Sequence, residues 1–354
     1  MHLPAEWSQQ AFVQIAWPHA DTDWKPYLPA AEACYCRIAR EIARRETLFI
    51  VTPHNEEVCE LMELMKGIKL EHIIVARIEI NDTWARDHAF LTCVGVDGVN
   101  TNKTLMDFGF NGWGLKFAAN LDNQINSHTF LAIRQLLGGK AEYRDVQQTI
   151  LEGGSIESDG EGTILTTTSC LLAPNRNGFR TKAEAEAMLR DKLHAVRVLW
   201  LDHSWLEGDD TDGHIDTVAR FCPNDTIAYV QCTDPGDVHY EGLHAMEQEL
   251  HAMRTRTGKP YRLIPLPLPD PIYEGNFDDA VSGEEYQRLP ATYANFLIIN
   301  GAVLMPTYDQ PRKDALAKKQ LQEAFPDREI VGIDCRVLIR QHGSLHCITM
   351  QYPL

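Results

Sequence analysis

Three short segments, far apart in the chain, carry the residue types of nucleophilic catalysis. Gly343-Ser344-Leu345-His346-Cys347-Ile348-Thr349 offers a thiol. Asp212-Gly213-His214-Ile215-Asp216 offers an imidazole flanked by acids, and Leu151-Glu152-Gly153-Gly154-Ser155 a carboxylate beside paired glycines. Thiol, imidazole and carboxylates together equip a cysteine nucleophile to act on a cationic carbon. A cysteine this close to a C-terminus would ordinarily fray. Gly343 and the apolar, β-prone run after it point instead to an ordered, buried end.

A fourth segment, Asn81-Asp82-Thr83-Trp84-Ala85-Arg86-Asp87-His88, lies between two strand patterns. Strand-end loops are where α/β proteins hold ligands. Asp87 there can accept two N–H bonds from a planar guanidinium, and Trp84 can cover its face. The competing reading is a structural ion pair of Arg86 with Asp82 or Asp87. Glu152, at a strand end, can orient an imidazole as the third member of a triad; the competing reading is a turn with an exposed acid. No G-x-G-x-x-G opens a helix, so the paired glycines are no dinucleotide fingerprint. A strand-like His214-Ile215-Asp216 would present residues 214 and 216 on one side. Alternatively, His203, Asp209, Asp212, His214 and Asp216 could surround a divalent cation, although their spacing matches neither an EF-hand nor a helical HExxH.

Composition narrows the partners. Lys and Arg total 33 against 50 Asp and Glu, so the net charge is 33 − 50 = −17. Such a surface repels nucleic acid and anionic membrane and attracts small cations. No stretch approaches the ~20 apolar residues of a membrane helix, and residues 1–21 carry no basic leader. The nine cysteines have no CxxC pair, which fits reduced thiols in a cytoplasmic protein. Cys34 and Cys36 read as small helical residues rather than a metal site. Cys59, Cys93, Cys170, Cys222, Cys232 and Cys335 read as core filler.

Helical and strand patterns alternate throughout. Apolar spacing predicts helices over 28–45, 55–65, 123–137, 182–193, 240–255 and 312–325. Strands are expected at 47–51, 73–78, 90–96, 104–108, 149–152, 156–158, 163–167, 197–201, 218–222, 226–231, 262–265, 294–299, 302–306, 329–333 and 347–351. Asp97-Gly98 and Asp159-Gly160 mark hairpin turns. Residues 265–271, rich in proline, read as a surface loop. No linker or charge block divides the chain, so one closed α/β domain spanning residues 1–354 with a loose internal repeat is expected.

These stretches taken together resemble the agmatine deiminase family, also called the porphyromonas-type peptidylarginine deiminase family, within the guanidine-modifying superfamily. The matching segments run in order: Leu3-Pro4-Ala5-Glu6-Trp7, Trp17-Pro18, Asn81 to Asp87, Asp107-Phe108-Gly109-Phe110-Asn111-Gly112-Trp113-Gly114, Leu151 to Thr163, Pro174-Asn175-Arg176-Asn177, Thr211 to Asp216, and His346-Cys347-Ile348-Thr349. The resemblance implies a five-bladed α/β propeller of pseudo-repeated ββαβ units around a central site. It implies Cys347 as nucleophile, His214 as general acid/base and Glu152 as the carboxylate orienting it. Asp87 and Asp216 would grip the guanidinium, with Trp84 as a pocket wall. Asp210 is a candidate partner for a distal amine.

The implied reaction is hydrolytic deimination, foremost of agmatine, with free, methylated or peptidyl arginine as alternatives. It needs no metal and no organic cofactor. A metal-dependent hydrolase and a non-catalytic polyamine-binding protein are the readings from other classes. The expected partner is a small cationic guanidine, and self-association as a homodimer stays open. The chain departs from the family pattern at Ala89-Phe90 and at Leu115-Lys116-Phe117. It departs again in the reduced glycine content of Gln341 to Leu345, and at Glu157, where agmatine deiminases often carry histidine.

Overall fold

Apolar residues spaced three and four apart explain the helices. In Leu28–Ala43, Ala31, Cys34, Tyr35, Ile38, Ala39 and Ile42 are all buried, a stripe facing the core. Pro29 stands in the first turn, where its missing N–H leaves no bond unmade. The computed structural model describes residues 1–64, 69–95, 102–277 and 287–354. The Asp97-Gly98 turn, Val96 and Met65 lie outside the described residues.

Each sheet follows one plan: an antiparallel pair, a helix, then a third strand parallel to the second. β1 (Gln10–Ala16) is followed by the helix Leu28–Ala43 and by β2 (Thr47–Thr52). The helix Asn55–Leu64 then leads to β3 (Ile73–Arg77). β1 pairs in parallel with β2 and antiparallel with the C-terminal strand Thr349–Pro353. The second sheet joins β4 (Leu91–Val94), β5 (Lys103–Gly109), the helix Ile125–Leu136 and β6 (Glu142–Ile150). The third joins β7 (Ile156–Ser158), β8 (Thr163–Thr167), the helix Lys182–Leu193 and β9 (Arg197–Leu201). In the fourth, β10 (Ala219–Cys222) and β11 (Thr226–Gln231) precede the helix Tyr240–Ala252 and β12 (Arg262–Pro267). The fifth has β13 (Leu297–Ile299), β14 (Ala302–Thr307), the helix Pro311–Ala324 and β15 (Glu329–Asp334). The terminal strand Thr349–Pro353 is β16. A parallel neighbour requires a crossover, and the helices supply it.

The middle strands are buried on both faces: every residue of β5 and β8 is inaccessible. The outer parallel strand β12 alternates, because one face meets solvent, and β15 likewise mixes buried with accessible residues.

That difference explains where pattern and structure part. β6 spans nine residues, but only its end was expected as a strand, because Glu142-Tyr143-Arg144-Asp145 is mostly solvent-facing and reads as a loop. β1 lies in a stretch left unassigned, because Gln10 and Gln14 interrupt its apolar run; both are buried. Residues 265–267 belong to β12 rather than to a loop. β12 is an edge strand, where proline is tolerated. Cys59 is exposed rather than core filler.

The helix Lys182–Leu193 is closed at its start by Thr181, whose hydroxyl accepts from the Glu184 amide while Glu184 returns a bond to Thr181 N. Thr181→Ala is expected to lower unfolding free energy by about 1 kcal/mol in urea denaturation. An unchanged midpoint would show the cap to be idle.

Candidate active site

The site is built from turns rather than strands. Residues 153–155 form a 3-10 turn between β6 and β7. Ile215–Thr217 forms another, with His214 as its N-cap, so the expected strand begins only at Ala219. Cys347 precedes β16 instead of lying on it. Ala85–His88 is a single helical turn after β3. Short turns aim consecutive side chains in divergent directions, which lets one segment serve two purposes.

The turns meet at Gly154. A Cβ there would lie 2.6 Å from His214 Nδ1, 2.9 Å from Asp87 Oδ1 and 3.1 Å from Asp216 Oδ2. Only a residue without a side chain lets these groups converge. Asp87 Oδ1 accepts from the Gly154 amide at 3.0 Å and stands 3.7 Å from His214 Nδ1. Its Oδ2 accepts from Trp113 Nε1 at 2.9 Å. The Cys347 thiol lies 3.9 Å from Asp216 Oδ2 and 3.2 Å from Asn295 Nδ2. The structure therefore brings together Cys347, His214, Asp87 and Asp216.

Glu152 is fully buried beside His214, and the two residues offer potential ligand atoms within 4.8 Å of one another. Its oxygens, however, accept from Arg176 Nε at 2.9 and 3.0 Å. Neither ring nitrogen of His214 has a hydrogen-bond partner among the described residues. The expected Glu152–His214 hydrogen bond is thus replaced by a Glu152–Arg176 ion pair. Arg176 continues to Asp212 at 2.7 Å and the Thr211 carbonyl at 2.8 Å.

A cleft of about 550 Å³ opens over Cys347. The indoles of Trp84 and Trp113 and the ring of Phe117 form its apolar walls. Asp23, Asp82, Asp87 and Asp210 also line it, whereas no arginine or lysine does among the described residues. Gly343 lies so close to Trp84 that a Cβ would sit 2.1 Å from the indole. The glycine that survives from the family's glycine-rich lead is the one that packs the wall.

Electrostatics follow from burial. Burial pushes the Cys347 thiol well above its ordinary range, and Asp216 and Asp87 add to this. Burial also raises Asp87, with His214 pulling against it. For His214, burial alone would favour the neutral ring. Asp87, Cys170 and Asp216 outweigh it and raise the pKa to about 10. Burial would likewise raise Asp216, but the hydrogen bond and charge of His346 take it below the usual carboxylate range. Asp82 is raised by burial to about 6.

Behind the site lies a network that the motif reading missed. His346 Nδ1 is 2.7 Å from Asp216 Oδ2, and its Nε2 is 2.9 Å from Glu6 Oε2. Fully buried Arg220 pairs with both Glu6 and Glu157, and its guanidinium lies 4.6 Å from the Phe296 ring centre. Arg220 in the run Val218 to Cys222 was a legible signal: a lone arginine in a buried strand demands buried acids. Glu157, the departure from histidine, is therefore Arg220's partner and lies outside the cleft.

Two competing readings are overturned. Arg86 pairs with neither Asp82 nor Asp87; its guanidinium donates to Gln351 Oε1 at 2.6 Å. Asp82 instead accepts from Trp24 Nε1 and the Thr83 amide. The proposed cation shell disperses, because His203 bonds Glu249 and Asp212 pairs with Arg176 and Lys116. Asp210 stands at the cleft, 3.7 Å from His342 Nδ1.

A buried thiol, an imidazole and paired acids thus lie beneath an acidic cleft in a mixed α/β protein, an arrangement suited to a cationic ligand. The sequence model of the Porphyromonas-type peptidyl-arginine deiminase family matches residues 2–353, and the chain belongs to that family. An agmatine deiminase of Pseudomonas fluorescens is 31% identical over 360 residues, covering 99% of this chain and 95% of its own. A solved structure from Porphyromonas gingivalis, assigned only provisionally as an arginine deiminase, is 47% identical with a TM-score of 0.88. That alignment covers 99% of this chain and 98% of the other. A cysteine-to-serine variant of C. jejuni agmatine deiminase with substrate bound is 35% identical, with a TM-score of 0.86 and coverage of 99% and 96%.

Arg220→Met would leave Glu6 and Glu157 buried without their counter-charge. The expected loss of stability is roughly 3–5 kcal/mol by chemical denaturation. A loss near zero would mean that both acids are neutral in the fold.

Proposed function

We propose that the protein hydrolyses a small guanidine, foremost agmatine, to a ureido product and ammonia, with N-carbamoylputrescine as the product from agmatine. The observation that carries this reading is the convergence of Cys347, His214, Asp87 and Asp216 around Gly154, beneath the acidic cleft. In this reading residues 1–354 form one domain whose five sheets are the blades of a propeller, with the site on its axis.

Asp87 and Asp216 hold the guanidinium, Trp84 covers it, and its carbon comes within ~3–3.5 Å of the Cys347 sulfur. The incoming cation reverses the electrostatics that keep the thiol protonated, so substrate binding releases the thiol proton. The thiolate adds to the carbon. Protonated His214 gives its proton to the departing nitrogen, and ammonia leaves. An S-alkyl amidinium remains on Cys347. Neutral His214 then takes a proton from water and the hydroxide adds. The C–S bond breaks as the hydroxyl proton passes to solvent, which releases the neutral ureido product and thiolate. Glu152 acts by fixing Arg176 and the Thr211–Asp212 turn that leads into His214.

Agmatine is favoured over arginine because an α-carboxylate would meet acids in the cleft, while a distal ammonium would find Asp82, Asp23 or Asp210. Arg86 and Arg176 are engaged elsewhere. The relatives named agmatine deiminase support the same choice. A panel of agmatine, arginine, dimethylarginine and an arginine peptide, with ammonia and ureido product measured together, tests it. Turnover of arginine alone would reject the assignment. Activity that survives EDTA but not iodoacetamide is expected; the opposite pattern would identify a metallohydrolase.

Cys347→Ser is expected to abolish turnover while preserving the circular dichroism spectrum, and retained activity would remove the nucleophile. Asp87→Asn is expected to weaken guanidinium binding by roughly 2–5 kcal/mol, read as a rise in KM or substrate Kd. Without substrate, iodoacetamide should inactivate the enzyme faster as pH rises, roughly tenfold per unit while the thiol stays mostly protonated. The sign follows from the raised thiol pKa; a rate already level at pH 7 would contradict it. Turnover itself should decline above about pH 10, where His214 loses its proton.

A further inference from the structure

We propose a divalent transition-metal site, separate from the catalytic cleft, formed by His19, Asp21 and His54. A nitrogen of each imidazole and a carboxylate oxygen of Asp21 all lie within 4.8 Å of one another. The rings stand 5.3 Å apart between centroids, tilted by 60°. They arise at the C-terminal ends of the adjacent parallel strands β1 and β2, where Ala16 pairs with Val51. His54 leads into the helix Asn55–Leu64, and His19 and Asp21 sit on the loop after β1.

A second observation points to a ligand. His19 is more than nine-tenths buried, and its Nε2 has no hydrogen-bond partner among the described residues. A buried imidazole nitrogen without a partner is costly, and coordination would satisfy it. The other ring nitrogen, Nδ1, has only a long 3.4 Å contact from the Asp21 amide. Asp21 is exposed and His54 half-buried, so solvent reaches the site and both side chains can close on an ion. Bonds of roughly 2.0–2.2 Å need ligand atoms somewhat nearer than they stand. Glu57, 3.8 Å from His54 Nδ1, adds negative charge.

Two imidazoles and a carboxylate suit Zn²⁺ or its first-row neighbours rather than Mg²⁺ or Ca²⁺. The other histidine-and-acid clusters are already neutralised: Glu152 by Arg176, and Glu6 with Glu157 by Arg220. The ion would clasp the loop that runs on to Asp23 in the cleft and to Trp24, which bonds Asp82 and Thr83.

The test is equilibrium dialysis of the full chain, stripped of metal, against micromolar Zn²⁺, with bound metal measured by mass spectrometry. The native chain and Cys170→Ser are expected to retain about one equivalent, while His54→Ala and Asp21→Asn raise the Kd at least about tenfold. Zn²⁺ should also raise the Tm of the native chain but not of His54→Ala. The proposal is overturned if the native chain binds none. It is also overturned if His54→Ala binds normally, or if Cys170→Ser loses the metal, which would place it against Glu152 and His214.

Discussion

Buried negative charge is the constraint on which the rest depends. Glu6, Glu157, Asp216, Asp87 and Glu152 are all buried. Arg220 compensates the first two and Arg176 the last. His346 passes part of that compensation to Asp216. Asp87 is left with His214 as its principal protein cation, while the thiol faces the charges of Asp216 and Asp87. A site balanced in this way favours an incoming cation. In the proposed reaction, affinity and activation would share that one electrostatic source, and an uncharged analogue would lack both.

Much of this was legible in the sequence. Cys347, His214, Asp87, Asp216 and Trp84 sit in segments whose composition already advertises chemistry, and the structure gathers them. What could not be read was how the supporting charges are wired. Glu152 was matched to His214, yet its oxygens turn to Arg176, because a side chain's direction depends on what lies across the site. Glu6 and Arg220 are more than two hundred positions apart, beyond the reach of any local pattern.

The elements show the same division. Middle strands such as β14, a nearly continuous apolar run, announce themselves, whereas β6 hides behind polar residues and β1 behind two buried glutamines. At His214 an extended reading gave way to a tight turn, while the paired glycines at 153 and 154 form a tight turn as their composition suggests. The convergence on Gly154 requires that tightness, because straight strands would carry Asp87, His214 and Asp216 past one another.

β1 binds the last strand on one side and β2 on the other. β1 is made well before the partner for its second edge, which lies more than three hundred residues further along the chain. Until then a strand with open hydrogen-bonding groups is available to other chains, and Cys347 has no seat. The surroundings of the Cys347 sulfur are thereby completed only when β1 and β16 pair, two strands distant in sequence and adjacent in space.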